Sequence, residues 1–181
     1  MLFTLPNVLS LSRVFLAVPC AWGLVTGHWV MAGLVFATAV ATDLADGQIA
    51  RKTGTTSALG GLFDHASDAT FVTIQLAALA WLGTTPWALV LLVPASFLQY
   101  VFDSDAPAGA PLRASFIGRG NGIAYFVLAG FPIYQHALGL YLLPESVFAW
   151  AGWLLTVTTL VSMLDRLWAY LRLRGNNVSS R

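Results

Sequence analysis

The chain has 181 residues, about one domain by length, and 57% of them are apolar while only 9% are charged, against roughly a quarter in ordinary globular proteins. A single soluble core of this size cannot hide that much apolar side chain, so the expected solvent is a lipid bilayer. Cys20 is the only cysteine, which excludes a disulfide framework, and a net charge of +1 with one lysine, Lys52, argues against a nucleic-acid partner.

Apolar runs near the ~20 residues needed to span a bilayer recur along the whole chain. The first predicted helix covers 8–26 and closes at Gly27 and His28; the second covers 29–51. The third runs 60–82 and the fourth 86–102, divided by Gly83-Thr84-Thr85-Pro86, where Pro86 suits the first turn of a new helix. Residues 103–120 are the one long polar connection. A fifth helix is expected over 121–142, with Asn121 near its start as a cap or a substrate contact. A sixth follows over 146–171, after Pro144-Glu145-Ser146. Residues 1–173 then form one membrane domain and 174–181 a loose cytoplasmic tail. The first 25 residues do not read as a signal peptide, because no basic residue opens them and Arg13 interrupts the apolar stretch.

The expected fold class is therefore all-α: a polytopic membrane protein with six transmembrane helices and both termini cytoplasmic. Orientation follows from the basic residues. An even number of helices puts both termini on one face together with the 2–3 and 4–5 connections. Arg13, Arg51, Lys52, Arg113, Arg119, Arg166, Arg172, Arg174 and Arg181 all fall at or near that face. The opposite connections, near 27–29, 83–86 and 143–146, contain no Lys or Arg. Trp29, Trp81, Trp87, Tyr141, Trp150 and Trp168, near helix ends, suit interface anchors.

Four of the eight acidic residues crowd between positions 43 and 68. Asp43, Asp46, Gly47 and Ala50 are spaced i, i+3, i+4, i+7 and share one face of the second helix. Gly60, Asp64 and Asp68 repeat every four residues on the third. Antiparallel neighbours joined by a short polar loop can turn these faces together, bringing four carboxylates to the cytoplasmic membrane surface. Ionisable groups at membrane depth cost about 2.5–3.5 kcal/mol each and are functional candidates. The bland alternative, helix-end acids snorkelling beside Arg51 and Lys52, explains one such Asp but not four in register with small residues. Four carboxylates cannot all stay ionised without a cation, and one arginine, Arg51, is too little. Oxygen-only ligation suits Mg²⁺ or Mn²⁺, as two ions, which commonly hold phosphate oxygens. The residues thus point to a metal-dependent reaction on a phosphorylated, membrane-associated substrate.

The pattern Asp43-x2-Asp46-Gly47-x2-Ala50-Arg51-x8-Gly60-x3-Asp64-x3-Asp68 resembles the complete signature of the CDP-alcohol phosphotransferase family, with every fixed position occupied. The segment from Leu5 to Arg13, with Asn7 and Ser10, is similar to the N-terminal segment of its bacterial phosphatidyl-transferring members. The resemblance implies that Asp43, Asp46 and Asp64 hold the metal pair, and that Asp68 completes the site and acts as general base on the acceptor hydroxyl. It implies that Gly47, Ala50 and Gly60 give the cytidine diphosphate room and that Arg51 binds a diphosphate oxygen. It also implies a six-helix catalytic domain and a homodimer. The expected enzyme is an inner-membrane phospholipid-synthesis transferase with its site facing the cytoplasm. It would move a phosphatidyl group from CDP-diacylglycerol to a polyol or polyol phosphate and release CMP, with the lipid tails remaining among membrane lipids.

The acceptor stays open. Members using glycerol phosphate or phosphatidylglycerol commonly have Pro and Lys after the third and fourth Asp, where this chain has His65 and Ala69. Arg113 and Arg119 can receive an acceptor phosphate, or serve the positive-inside pattern and anionic lipids. Asp103 and Asp105 either pair with them or keep the loop polar. Arg13 and Asn7 can reach a phosphate from the first helix, although topology and capping explain them equally. Asp165 and Arg166 read as an interfacial pair, and Cys20 has no assigned chemistry. One alternative is an aminoalcohol phosphotransferase using CDP-choline or CDP-ethanolamine with diacylglycerol. From another class, the rival is a divalent-cation transporter, which would place its site near the midplane rather than at one face.

Overall fold

Six helices make up nearly all of the chain that the computed structural model describes, residues 5–54, 57–103 and 116–179, with side chains described for 7–54, 57–103 and 117–169. They are α1 (Leu5–Val25), α2 (Trp29–Thr53), α3 (Ala58–Trp81), α4 (Trp87–Asp103), α5 (Phe116–Leu138) and α6 (Glu145–Ser179). The tight links are set by local chemistry. Gly54 takes a φ of 65° that a side chain would resist, and its N–H closes α2 on the carbonyl of Ala50. Ser57 then caps α3, its hydroxyl accepting the N–H of Gly60 at 3.0 Å. This pair of devices returns the chain antiparallel just beside the carboxylate faces.

Helix α1 packs chiefly on α2 and α3; α2 then meets α5, α5 meets α6, α6 meets α4, and α4 returns to α3. The bundle is thus a ring of helices, with a lesser α3–α5 contact across it. Its core includes Phe36, Phe71 and Phe126, whose ring centroids lie 5.5–6.3 Å apart and join α2, α3 and α5. The outward faces are apolar as well, with Phe15 72% and Trp150 75% exposed among many large hydrophobic residues, a surface suited to lipid rather than water. Among the described residues, three stretches are long and apolar enough to cross a bilayer: Asn7–Val25, Trp29–Thr53 and Glu145–Ala169. Of the aromatic residues expected as anchors, Trp29 stacks on His136 at 4.3 Å near the turn opposite the carboxylates, while Trp81, Trp87 and Tyr141 are exposed at helix ends.

The two largest departures from the expected boundaries are at the start of α5 and the end of α6. Helix α5 begins at Phe116 rather than 121, running through Gly118 and Gly120 despite their weak helix propensity. Asn121 is therefore neither a cap nor exposed: it is buried inside α5, accepts the Thr158 hydroxyl at 3.0 Å and donates to Thr159 at 3.5 Å. Helix α6 continues as helix past 171 to Ser179, through residues expected to be a tail.

Candidate active site

The registers read from the sequence meet in space. Asp43 and Asp46 on α2 converge with Asp64 and Asp68 on α3, and an arginine from α1 sits between them. The Arg13 side chain is wholly buried. Its Nη1 bonds Asp43 and Asp68, and its Nη2 bonds Asp64 and, at 2.9 Å, Asp46. Ser10, one turn earlier on the same face of α1, donates to Asp46 Oδ2 at 2.9 Å and lies 3.3 Å from Asp64 Oδ1. Asp46 is the buried member; the side chains of Asp43, Asp64 and Asp68 remain partly open.

The cation among the acids is Arg13 of α1, not the Arg51 that neighbours them in sequence. Arg51 is exposed and folds back over its own helix, where a Cβ on Gly47 would sit 3.4 Å from its Nη1. Arg13, expected to serve topology or reach a phosphate, instead gathers all four acids. The available signal was Asn7, Ser10 and Arg13 recurring every third residue in an apolar helix, a polar stripe along one side. Gly60 lies where α1 and α3 come close, since a Cβ there would be 3.3 Å from Asn7 Oδ1.

The donor set fits a hard cation. One carboxylate oxygen each from Asp43, Asp46 and Asp64 lie within 4.8 Å of one another, and ligand atoms of Asp64, His65 and Asp68 form a second such group. Oxygen-rich sites of this kind suit Mg²⁺ or Mn²⁺.

Two cavities open from the cluster. One, about 770 Å³, runs between α2 and α5 from Asp43 past Val40, Phe36 and Tyr134, and is almost entirely apolar. The other, about 590 Å³, lies among α3, α4, α5 and α6, bounded by Asp68 and His65 on one side and by Arg119 and Arg166 on another. Arg166 is not the partner of Asp165 at an interface: it turns inward, its guanidinium 5.1 Å above the Tyr100 ring and Nη1 3.5 Å from the Ser96 carbonyl. A basic residue whose neighbours in sequence are apolar and acidic gave no hint of this, because its orientation depends on where α4 packs. His65 also faces Tyr100, with 6.2 Å between ring centroids. Arg113 and Asp105 lie outside the described residues.

Over residues 3–161 the sequence matches the CDP-alcohol phosphatidyltransferase family, and the chain belongs to that family of enzymes. Among curated proteins it is 38% identical over 124 residues to a cardiolipin synthase (CMP-forming)/mitochondrial hydrolase fusion protein of Schizosaccharomyces pombe, covering 64% of this chain and 20% of that protein. It is 28% identical over 165 residues to the cardiolipin synthase (CMP-forming) of Streptomyces coelicolor, covering 83% of this chain and 75% of the relative. A probable phosphatidylglycerophosphate synthase of Mycobacterium tuberculosis is 34% identical over 95 residues, covering 49% of this chain and 46% of that protein. The chain thus spans a fifth of the first relative's length, three quarters of the second's and under half of the third's.

Proposed function

We propose that the protein transfers a phosphatidyl group from CDP-diacylglycerol to an alcohol and releases CMP. The observation that carries this reading is the convergence of the four signature aspartates at the point where an apolar cavity and a basic-rimmed cavity both open. The relatives that bear the names of cardiolipin and phosphatidylglycerophosphate synthases favour a diacylglycerol-bearing donor over the aminoalcohol scheme. The clustering of the acids at one end of the bundle argues against a transporter.

In this reading Asp43, Asp46, Asp64 and Asp68 hold two divalent cations, Mg²⁺ or Mn²⁺, whose chemistry when bound is to neutralise the charge of the diphosphate and of the leaving nucleotide. Gly47, Ala50 and Gly60 leave room for the cytidine diphosphate, and Arg51, exposed at the rim, meets a diphosphate oxygen. The lipid tails follow the apolar cavity between α2 and α5. Asp68, at the mouth of the second cavity, takes the proton from the acceptor hydroxyl. That oxygen bonds to the phosphatidyl phosphorus, the bond to the CMP oxygen breaks, and CMP departs with its phosphate.

The acceptor carries a phosphate. Arg119 and Arg166 line the cavity on which Asp68 opens, two guanidinium groups where a neutral polyol would need none. All six helices cross the membrane, with residues 1–173 as the catalytic domain, residues 174–181 as a cytoplasmic tail, and both termini and the active site on the cytoplasmic side of a bacterial-type inner membrane. The molecule works as a homodimer. The decisive experiment is to incubate purified protein with CDP-diacylglycerol, Mn²⁺ and a panel of alcohols, and to identify the lipid product by mass. CMP release with glycerol 3-phosphate or phosphatidylglycerol, and not with inositol or glycerol, is expected. Release of CMP only from CDP-choline or CDP-ethanolamine would overturn the reading.

A further inference from the structure

Arg13 lies thirty residues before the first signature aspartate, yet it is the group that all four share. The carboxylate oxygens it occupies, Asp43 Oδ1, Asp46 Oδ2, Asp64 Oδ1 and Asp68 Oδ1, come from the same residues that the metal reading assigns as ligands. Four carboxyl groups share its single positive charge, so the cluster still attracts a divalent cation. Only the two Nη atoms are engaged: Arg13 Nε is buried without a hydrogen-bond partner. The head of the side chain is therefore bound while its neck is not, and it can withdraw without breaking a second set of bonds. Ser10 meanwhile keeps its own bonds to Asp46 and Asp64.

We propose that Arg13 is a positioning residue that competes with the divalent cation for the same carboxylate oxygens, gathering the acids of α2 and α3 and setting the concentration at which metal loads. This rests on the metal-binding reading above. An oxygen engaged by a guanidinium and one engaged by a cation face opposite electrostatic demands: each positive group repels the other, and each is stabilised by the same lone pairs. Removing the guanidinium therefore has two effects of opposite sign. The four acids repel one another and the fold loosens, while the cation meets no internal competitor.

The test is Mn²⁺ binding to the purified, detergent-solubilised full chain, followed by the electron paramagnetic resonance signal of free Mn²⁺, with thermal unfolding measured in parallel. Arg13→Gln is expected to bind Mn²⁺ at least about tenfold more tightly than wild type. It should also melt earlier without Mn²⁺ and recover more of its melting temperature when Mn²⁺ is added. If Arg13 were merely structural, the variant would melt earlier with Mn²⁺ affinity unchanged or weakened, and that result overturns the proposal. Should Arg13→Gln fail to fold, Arg13→Lys carries the same comparison: one ammonium cannot span four carboxylates, so tighter Mn²⁺ binding is again expected, and equal or weaker binding counts against competition. Asp43→Asn separates the two levels. If it binds Mn²⁺ as well as wild type, the metal reading itself fails and the competition falls with it.

Discussion

A carboxylate at membrane depth survives only if a cation or a proton meets it, and this requirement orders the residues of the site. Asp43, Asp46, Asp64 and Asp68 accept hydrogen bonds from the guanidinium of Arg13, and Asp46 and Asp64 also from Ser10, rather than from the adjacent Arg51. Their proposed roles separate in experiment. Asp68→Asn should lower kcat by about 10²–10⁴-fold while weakening Mn²⁺ binding less than Asp43→Asn does, since a general base contributes on that scale. Asp43→Asn should lose both, and equal metal affinity in the two variants would contradict the division. At the acceptor cavity, Arg119→Ala and Arg166→Ala should each raise the KM for a phosphate-bearing acceptor about 10–100-fold, the worth of a charge-assisted hydrogen bond. The KM for CDP-diacylglycerol should stay unchanged, and steady-state kinetics with each substrate varied in turn will show it.

At the scale of elements, the site exists because α2 and α3 are returned antiparallel by Gly54 and Ser57, and because α1 packs against both. Small residues set these approaches. A Cβ on Gly60 would stand 3.0 Å from Ser57 Oγ and 3.3 Å from Asn7 Oδ1, so the residue lies in the seam between α1 and α3 as well as beside the proposed nucleotide site. The far end of the bundle offers a cleaner control. A Cβ on Gly152 of α6 would fall 2.4 Å from Pro86 Cδ at the head of α4, a contact that backbone or ring must move to relieve. Gly152→Ala should therefore cost about 1–3 kcal/mol and lower the melting temperature in detergent. Its KM values should match wild type, because the carboxylates lie at the opposite end of the bundle. A largely buried polar seam of Asn121, Tyr125, Thr158 and Thr159 ties α5 to α6, and it also fixes Tyr125 in the wall of the second cavity.

For the whole molecule, the asymmetry of charge defines the predicted orientation. The turns near 27, 83 and 139 carry no Lys or Arg, while the described basic side chains of Arg13, Arg51, Lys52, Arg119 and Arg166 lie toward the carboxylate end. Because Cys20 is the only cysteine and is buried, a Cys20→Ser background permits a direct test. Lys52→Cys should react with an impermeant maleimide only from the cytoplasmic side, and Tyr141→Cys, at an exposed position, only from the other. Labelling of both from one side would rule out the six-span arrangement.

What the sequence by itself determined is local and periodic: lipid as solvent from the scarcity of charge, helices bounded by glycine and proline turns, and the facing registers of 43, 46, 64 and 68. These features repeat at helical spacing within a few turns, so a one-dimensional pattern holds them. The partners that complete the site could not be read the same way. Arg13 meets Asp68 across fifty-five positions, and Arg166 reaches Ser96 across seventy. Helical periodicity says which face a residue occupies but not which neighbour that face will meet. Asn121 passed as a helix start because its glycine-rich flank has weak helix propensity, and only the structure places it inside α5, facing Thr158 and Thr159 of α6. The order of helices around the ring, a product of packing between distant segments, decided which cation sits among the acids and which arginines line the second cavity.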